Sequence, residues 1–333
     1  MSNYAARKKL FKKIEAARGS RVLLYVTGNR PGMETQVSPE VVDLFVGHLD
    51  ALWPTKKISL VLHTNGGNTA AAWQLINLLH TFCDELEVLV PARALSAGTL
   101  ISLGADRIMM TKQAILGPID PSLDGPMNPI IPGTPNQRAS VSVEAVQGYL
   151  DVAQNALSIK DPAALTLIWN SLSEKIHPLV LGQIFRTREQ IRNLAQRLLD
   201  HQKVDDEKAE GIIKFLCSDS GSHDHSINRR EARELGLNIE NPTADFYKLL
   251  RAVQVSYSDE LKIGEPFNPD TVLAGSPTVN YRVPRALIES DVHGSHQFIS
   301  EGTLTAISIA APAGPPQIGI QDKRTFEAWR KEA

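Results

Sequence analysis

The chain has 333 residues, 42% of them apolar and 22% charged, with a formal net charge of -2. This is the balance of an ordinary folded chain, long enough for one large domain or two smaller ones. It gives no global electrostatic case for nucleic acid or an acidic membrane as a partner. No apolar run approaches the roughly 20 residues of a transmembrane helix. The basic start "MSNYAARKKLFKKIEAARGSR" is followed by no apolar h-region, so no secretory signal is expected and the cytoplasm is the expected location. Cys83 and Cys217 form no CxxC pair and read as buried thiols of a reducing compartment.

In chain order, Leu10, Phe11 and Ile14 fall on one face of an N-terminal helix, with Arg7, Lys8, Lys9, Lys12 and Lys13 around them as a solvated basic face. "RVLLYVTG" reads as a buried strand. "SPEVVDLFVGHLDAL" reads as a helix with Ser38 as N-cap and Pro39 at its first position. "KISLVLHT" is a second buried strand closed by "NGG", "NTAAAWQLINLLHTF" a helix and "LEVLVPA" a third strand. Ser96 then opens a helix that runs through Leu103, and "DRIMM" is a short strand. Strands alternating with helices at this spacing predict parallel βαβ crossovers and an α/β fold.

The stretch "LGPIDPSLDGPMNPIIPGTPN" carries too many prolines for a helix or a central strand. An ordered loop of that length is usually functional or a linker. From Ser142 to about Leu216 the pattern is helical; after Tyr257 it changes to turns and short strands such as "RALIES" and "TLTAISIA", with a final helix at "KRTFEAWRKEA". The expected organisation is a main domain over 1–256, with its helical segment at about 142–216, and a C-terminal extension over 257–333.

Two turns carry possible chemistry. Gly66 and Gly67 end a strand and feed a helix, which leaves backbone N–H groups able to hold an oxyanion; a tight turn with no ligand is the simpler reading of a lone Gly-Gly pair. GxGxxG is absent, so dinucleotide binding is not supported. Ser96 ends the next strand and opens the next helix, so both turns lie at the carboxyl edge of one sheet, where α/β folds bind ligands. Its hydroxyl is either a helix cap or a nucleophile, and spacing alone leaves both open. The small residues Ala97 and Gly98 would let a substrate backbone approach closely.

The blocks "LVLHTNGG", "VPARALSAGTLISLGADRIMM" and "AILGPIDP" together resemble the ClpP/crotonase superfamily of serine peptidases. More closely, they resemble the serine dehydrogenase proteinase family, the soluble relatives of signal-peptide peptidase A. The likeness continues through "IHPLVLGQIFRTREQIRNLAQRLL" and "SHDHSINRREARELGLNI" and covers roughly residues 10–240. It implies a ClpP/crotonase-like spiral of βαβ units with a helical segment and a C-terminal extension. It also implies Ser96 as nucleophile, with the N–H groups of Gly67 and Ala97 as the oxyanion hole. In ClpP itself a histidine follows soon after the serine. Here that region is "GPIDP", with Asp120 and no histidine.

The order described for the family, serine then aspartate then histidine, implies Ser96, Asp120 and a later histidine. His223 in "GSHDHSINRREARELGL" matches best, with His177 as the rival base and Asp224 as the rival orienting acid. Lys160 or Lys175 would serve in a Ser–Lys dyad, as in signal-peptide peptidase A. His223, Asp224 and His225 are metal-ligand types in a row, but no third and fourth ligand and no HExxH accompany them, so no metal is expected. His63, beside the Gly-Gly turn, reads as a packed strand-end residue.

The expected function is hydrolysis of peptide or protein substrates by a homo-oligomer, with no cofactor. No Walker A pattern is present, so ATP-driven unfolding would need a separate partner protein. A crotonase-fold acyl-thioester enzyme and a catalytically silent peptide-binding scaffold are the alternative readings.

Overall fold

The computed structural model describes residues 3–119, 122–219, 224–309 and 317–332. Its first half alternates as the apolar runs predict: α1 (Tyr4–Arg18), β1 (Arg21–Thr27), α2 (Val41–Leu52), β2 (Lys57–His63), α3 (Thr69–Phe82), β3 (Glu85–Val90), β4 (Arg93–Ala94), α4 (Ala97–Leu103) and β5 (Arg107–Met110). The short strands β6 (Ile115–Leu116), β7 (Ser122–Leu123) and β8 (Val141–Ser142) lead into α5 (Val143–Asp151), α6 (Pro162–Lys175), α7 (Pro178–Leu199) and α8 (Asp206–Lys214). Then come β9 (Ile227–Asn228), α9 (Arg229–Glu234), β10 (Ile239–Glu240), α10 (Ala244–Leu261), α11 (Pro269–Leu273), β11 (Thr278–Ser290), β12 (Gly294–Ile309) and β13 (Gln317–Lys331).

The main sheet has the order β10-β5-β3-β2-β1-β11-β12-β13. Strands β10, β5, β3, β2 and β1 are mutually parallel, and β11, β12 and β13 continue from β1 antiparallel. β1 to β3 are mostly apolar, Ser59 and Glu87 excepted, because both faces are covered, which is the pattern of a central parallel sheet. Leu23, Tyr25, Leu60, Leu62, Val88 and Val90 pack in the cluster that also holds residues of α2, α3, α4, α7 and α8. Val22, Leu24, Val26, Val61 and Leu89 face Phe11 and Ile14 of α1 and Leu250 and Val253 of α10. No helix of the described residues is long and apolar enough to cross a membrane.

Several elements depart from the sequence reading. Arg7 is not part of a solvated basic face. It is fully buried and pairs with Glu289 and Glu260, each at 2.6 Å. α2 begins at Val41 rather than at Pro39, and the Ser38 hydroxyl bonds Glu40 instead of capping a backbone N–H. Residues 323–331 of "KRTFEAWRKEA" are not a helix but the C-terminal part of the edge strand β13. Its Lys, Arg, Glu and Ala favour a helix in isolation, and the sheet overrides that preference. Register with β12 runs from His296↔Lys331 to Ile309↔Gln317. The pairing is supported by the ring contact of Phe298 with Trp329 and by the Arg330–Glu301 ion pair at 2.9 Å. The C-terminal strands are long rather than short. α10 runs through the expected 256/257 boundary, with Tyr257 buried in it, and β11 pairs directly with β1.

A cluster of histidines lies where the β11–β12 hairpin meets α2. His48 is buried; its Nδ1 is 2.8 Å from Ser290 Oγ and its Nε2 3.0 Å from His296 Nδ1. Burial, and then the neighbouring His and Lys331 charges, push His48 down to about 3 and His296 to about 4. On the other face of the sheet, burial and then Arg93 push His63 down to about 3.

In the unfolded chain these rings take up protons near 6.5, while in the native fold they stay neutral well below that. The unfolded state therefore binds more protons over this window, and stability falls as pH drops below about 6.5, by up to about 1.4 kcal/mol per pH unit for each ring. Urea unfolding is expected to show a lower midpoint at pH 5.0 than at pH 7.5, with a shallower dependence in His48→Gln. A midpoint unchanged between the two pH values would rule this out.

Candidate active site

β2 ends at His63, and the next residue, Thr64, bridges in parallel to Ala94 of β4. Thr64 N–H donates to Arg93 O at 3.2 Å, and Leu95 N–H to Thr64 O at 3.0 Å. The Gly-Gly turn and the Ser96 turn are thus tied side by side. Asn68 closes the first turn, its side chain accepting Ala71 N–H at 2.8 Å as the cap of α3.

Gly66 and Gly67 sit at φ 115° and 140°, where side chains are strained. Space also demands glycine. A Cβ on Gly66 would lie 2.7 Å from Ser96 Cβ, and one on Gly67 would lie 2.4 Å from Val37 O. Gly67 bridges to Val37: Val37 N–H donates to Gly66 O and Asn68 N–H to Val37 O, both at 2.8 Å. In that pairing the polar groups of Gly67 itself point to the other side, and no described residue accepts its N–H.

Gly66→Ala is accordingly expected to lose at least about 2 kcal/mol of stability and to disturb Ser96 directly. Thermal melts beside covalent labelling of Ser96 measure both effects. Wild-type behaviour in both would contradict this turn geometry.

Ser96 stands between β4 and α4 at φ 50°, ψ -111°. A non-glycine residue there carries roughly 1–3 kcal/mol of strain, a cost typical of sharp strand-to-helix turns that expose a nucleophile. Its hydroxyl makes no cap hydrogen bond to α4, which removes the helix-cap reading. Neither the Ser96 hydroxyl nor the Ala97 N–H has a hydrogen-bond partner among the described residues. Gly98 is small for a different reason from the expected one. A Cβ there would lie 2.4 Å from Thr64 Cγ2, so its size lets α4 pack on the end of β2 rather than admitting substrate.

Ser96 is half-buried at the base of an open cleft of about 830 Å³. The cleft is also lined by Gln36, Ser38, Gly67, Leu123, Asp124 and Thr187. Leu123 and Asp124 belong to the proline-rich stretch, which reaches the groove. Gln36 and Thr187 were not singled out from sequence and no local motif marks them, while Ser38 was read only as a helix cap. They reach the cleft through the bridge of Val37 to Gly67 and through α7.

Asp120 and His223 lie outside the described residues. Their flanks are described and are joined. Thr99, in the first turn of α4, binds Gly117: its hydroxyl is 2.8 Å from Gly117 O and accepts Gly117 N–H at 3.1 Å. Ile119 N–H donates to Leu216 O at 2.9 Å, and Leu116 pairs with Ile227 across β6 and β9. The segment leading into position 120 is therefore hydrogen-bonded to segments on both sides of position 223, and it is pinned to the helix that Ser96 opens.

The other candidates are occupied elsewhere. His177 is exposed and caps α7, its Nδ1 accepting Leu179 N–H at 3.2 Å. Lys175 ends α6, Lys160 precedes it, and both are exposed and absent from the cleft lining. Asp224 is exposed in a turn, and His225 Nε2 lies 2.8 Å from Glu231 Oε1. His63 is buried, with its Nδ1 3.1 Å from the Tyr257 hydroxyl. Cys83 and Cys217 are both buried and in no disulfide, and burial pushes the Cys83 thiol up to about 12. Among the described residues no group of three or more His, Cys, Asp or Glu is arranged to hold a metal ion.

Two uncharacterized proteins of Methanocaldococcus jannaschii are similar to the chain. One is 31% identical over 197 residues, 59% of this chain and 58% of that protein. The other is 30% identical over 194 residues, 58% and 56% of the two. The chain thus spans less than three fifths of the length of either. Among solved structures, a variant of the 1510-N membrane-bound stomatin-specific protease aligns with a TM-score of 0.41 at 17% identity, covering 70% of this chain and 84% of that one. A variant of ClpP1 from Listeria monocytogenes aligns with a TM-score of 0.38 at 13% identity, covering 72% and 99%. Residues 50–259, more than half of the chain, match the model of the ClpP-like SDH-type serine proteinases, and the protein belongs to that family.

Proposed function

We propose that the protein is a serine peptidase in which Ser96 is the nucleophile. The observation that carries this reading is the uncapped Ser96 hydroxyl, held at a strained φ of 50° in an open cleft beside the Gly66–Gly67 turn. The Ser96 oxygen attacks the carbonyl carbon of a peptide bond as its proton passes to His223. The oxyanion that forms accepts hydrogen bonds from the N–H groups of Gly67 and Ala97. Asp120 orients the imidazole and stabilises its charged form. The imidazolium then protonates the leaving amine, the C–N bond breaks, and water repeats the sequence on the acyl-enzyme. The joined flanks of positions 120 and 223, and the Thr99 contact to Gly117, support this triad.

The helical segment leaves Val152, Leu157, Leu167, Trp169, Leu179 and Phe185 exposed, more apolar surface than a lone chain ordinarily shows to water, and this supports a homo-oligomer. The test of the activity is reaction with a fluorophosphonate probe, with the adduct located by mass spectrometry. A single adduct on Ser96 together with hydrolysis of peptides is the expected result. No adduct under conditions that label a control serine peptidase would overturn the reading and leave a peptide-binding scaffold.

A further inference from the structure

The Gly66–Gly67 peptide unit has a glycine on either side of it, at φ 115° and 140°, so little in its own backbone prevents that plane from turning over. Yet the proposed reaction needs the Gly67 N–H to face the cleft. What fixes it is found one residue beyond β2. Thr64 is fully buried, and its hydroxyl uses all of its hydrogen-bonding capacity. It accepts from Thr27 Oγ1 at 2.6 Å and from Gly66 N–H at 3.0 Å, and it lies 3.3 Å from Gly66 O, to which it donates. Gly66 O also accepts Val37 N–H at 2.8 Å. Thr27 and Thr64 follow directly on the β1–β2 register, where Val26 pairs with His63, so the relay is built on the central strands of the sheet.

We infer that Thr64 is a positioning residue whose hydroxyl clamps the Gly66 carbonyl and thereby aims the Gly67 N–H into the cleft. The reason is the planarity of the trans peptide. C=O and N–H of one unit point in opposite directions, so a carbonyl held against Thr64 and Val37 forces the amide proton of Gly67 to the opposite side. The inference rests on the peptidase reading for its effect on rate, while the clamp itself is a property of the fold.

Thr64→Val separates the hydroxyl from the packing, because valine can keep the methyl that lies against Gly98. The experiment compares wild type, Thr64→Val, Thr64→Ser and Thr27→Val by peptide hydrolysis, fluorophosphonate labelling rate, thermal melting and hydrogen exchange of the 60–68 segment. Thr64→Val is expected to lower kcat by about 10²–10³, the scale of losing one oxyanion donor, with KM changed by no more than about twofold. Thr64→Ser is expected to restore kcat to within about threefold of wild type, and Thr27→Val, which leaves both Gly66 contacts, to cost no more than about fivefold. Exchange at the Gly66 amide is expected to speed up in Thr64→Val alone.

Wild-type kcat in Thr64→Val, or a Thr64→Ser variant as slow as Thr64→Val with melting temperature falling in parallel, would overturn the inference. If wild type neither labels nor hydrolyses, the peptidase reading fails separately. The exchange measurement then decides the clamp, which is refuted by unchanged Gly66 protection in Thr64→Val.

Discussion

Ser96→Ala is expected to abolish fluorophosphonate labelling and to lower peptide hydrolysis by about four to six orders of magnitude, because members of a nucleophile–base unit are lost together rather than in part. The fold should notice little. The hydroxyl makes no hydrogen bond to α4, so its removal leaves no backbone donor newly unsatisfied, and alanine keeps the Cβ that packs against Gly66. A second substitution separates chemistry from strain. Ser96→Gly removes the Cβ that makes φ 50° unfavourable, and it should be as inactive as Ser96→Ala while melting at a higher temperature by roughly 1 kcal/mol of relieved strain. A structural serine would give the reverse pattern, with stability lost and turnover retained. Hydrolysis that survives in a pure Ser96→Ala sample removes Ser96 as the nucleophile, and the proposed mechanism with it.

What could be read in advance followed from which forces are local. β1, β2 and β3 were legible because strands buried on both faces must be largely apolar, and that pattern is written in consecutive residues. β13 was not, because its Lys, Arg, Glu and Ala carry a helical preference and its strand pairing is supplied by β12. Arg7 looked like one more solvated cation of α1. Its partner Glu289 is 282 residues away, and nothing near Arg7 announces it. The Ser96 turn shows the same divide within the site. Sequence placed a hydroxyl between a strand and a helix but could not choose between cap and nucleophile, because that choice depends on a backbone angle. Gly98 was expected to let a substrate approach, and the group that lies against it is the Thr64 methyl. The role inferred for Thr64 had a faint local signal, a hydroxyl residue just before the Gly-Gly turn, but its other partners, Thr27 and Val37, come from separate parts of the chain.

The assignment of the base is the sharpest remaining test of the mechanism. A serine–histidine pair needs a neutral imidazole, so kcat/KM is expected to rise with pH through an apparent value near the ordinary histidine pKa of about 6.5. A lysine base would have to be held neutral by strong desolvation. Lys160 and Lys175 are both exposed and absent from the cleft lining, so neither is placed beside Ser96. His223→Ala is therefore expected to cost several orders of magnitude in kcat, and Asp120→Asn somewhat less if the carboxylate only fixes the tautomer and stabilises the imidazolium. His177→Ala should leave turnover near wild type and lower stability by about 1 kcal/mol, since its ring serves as the cap of α7. Lys175→Ala should change neither quantity by much. The measurement is a set of pH–rate profiles for these variants, each checked for folding by circular dichroism and melting. Near-wild-type turnover in His223→Ala, with His177→Ala or Lys175→Ala inactive but folded, would move the base to that residue. It would do so without disturbing the case for Ser96, because the nucleophile rests on the strained turn and the cleft, whereas the base rests on the joined flanks of positions 120 and 223.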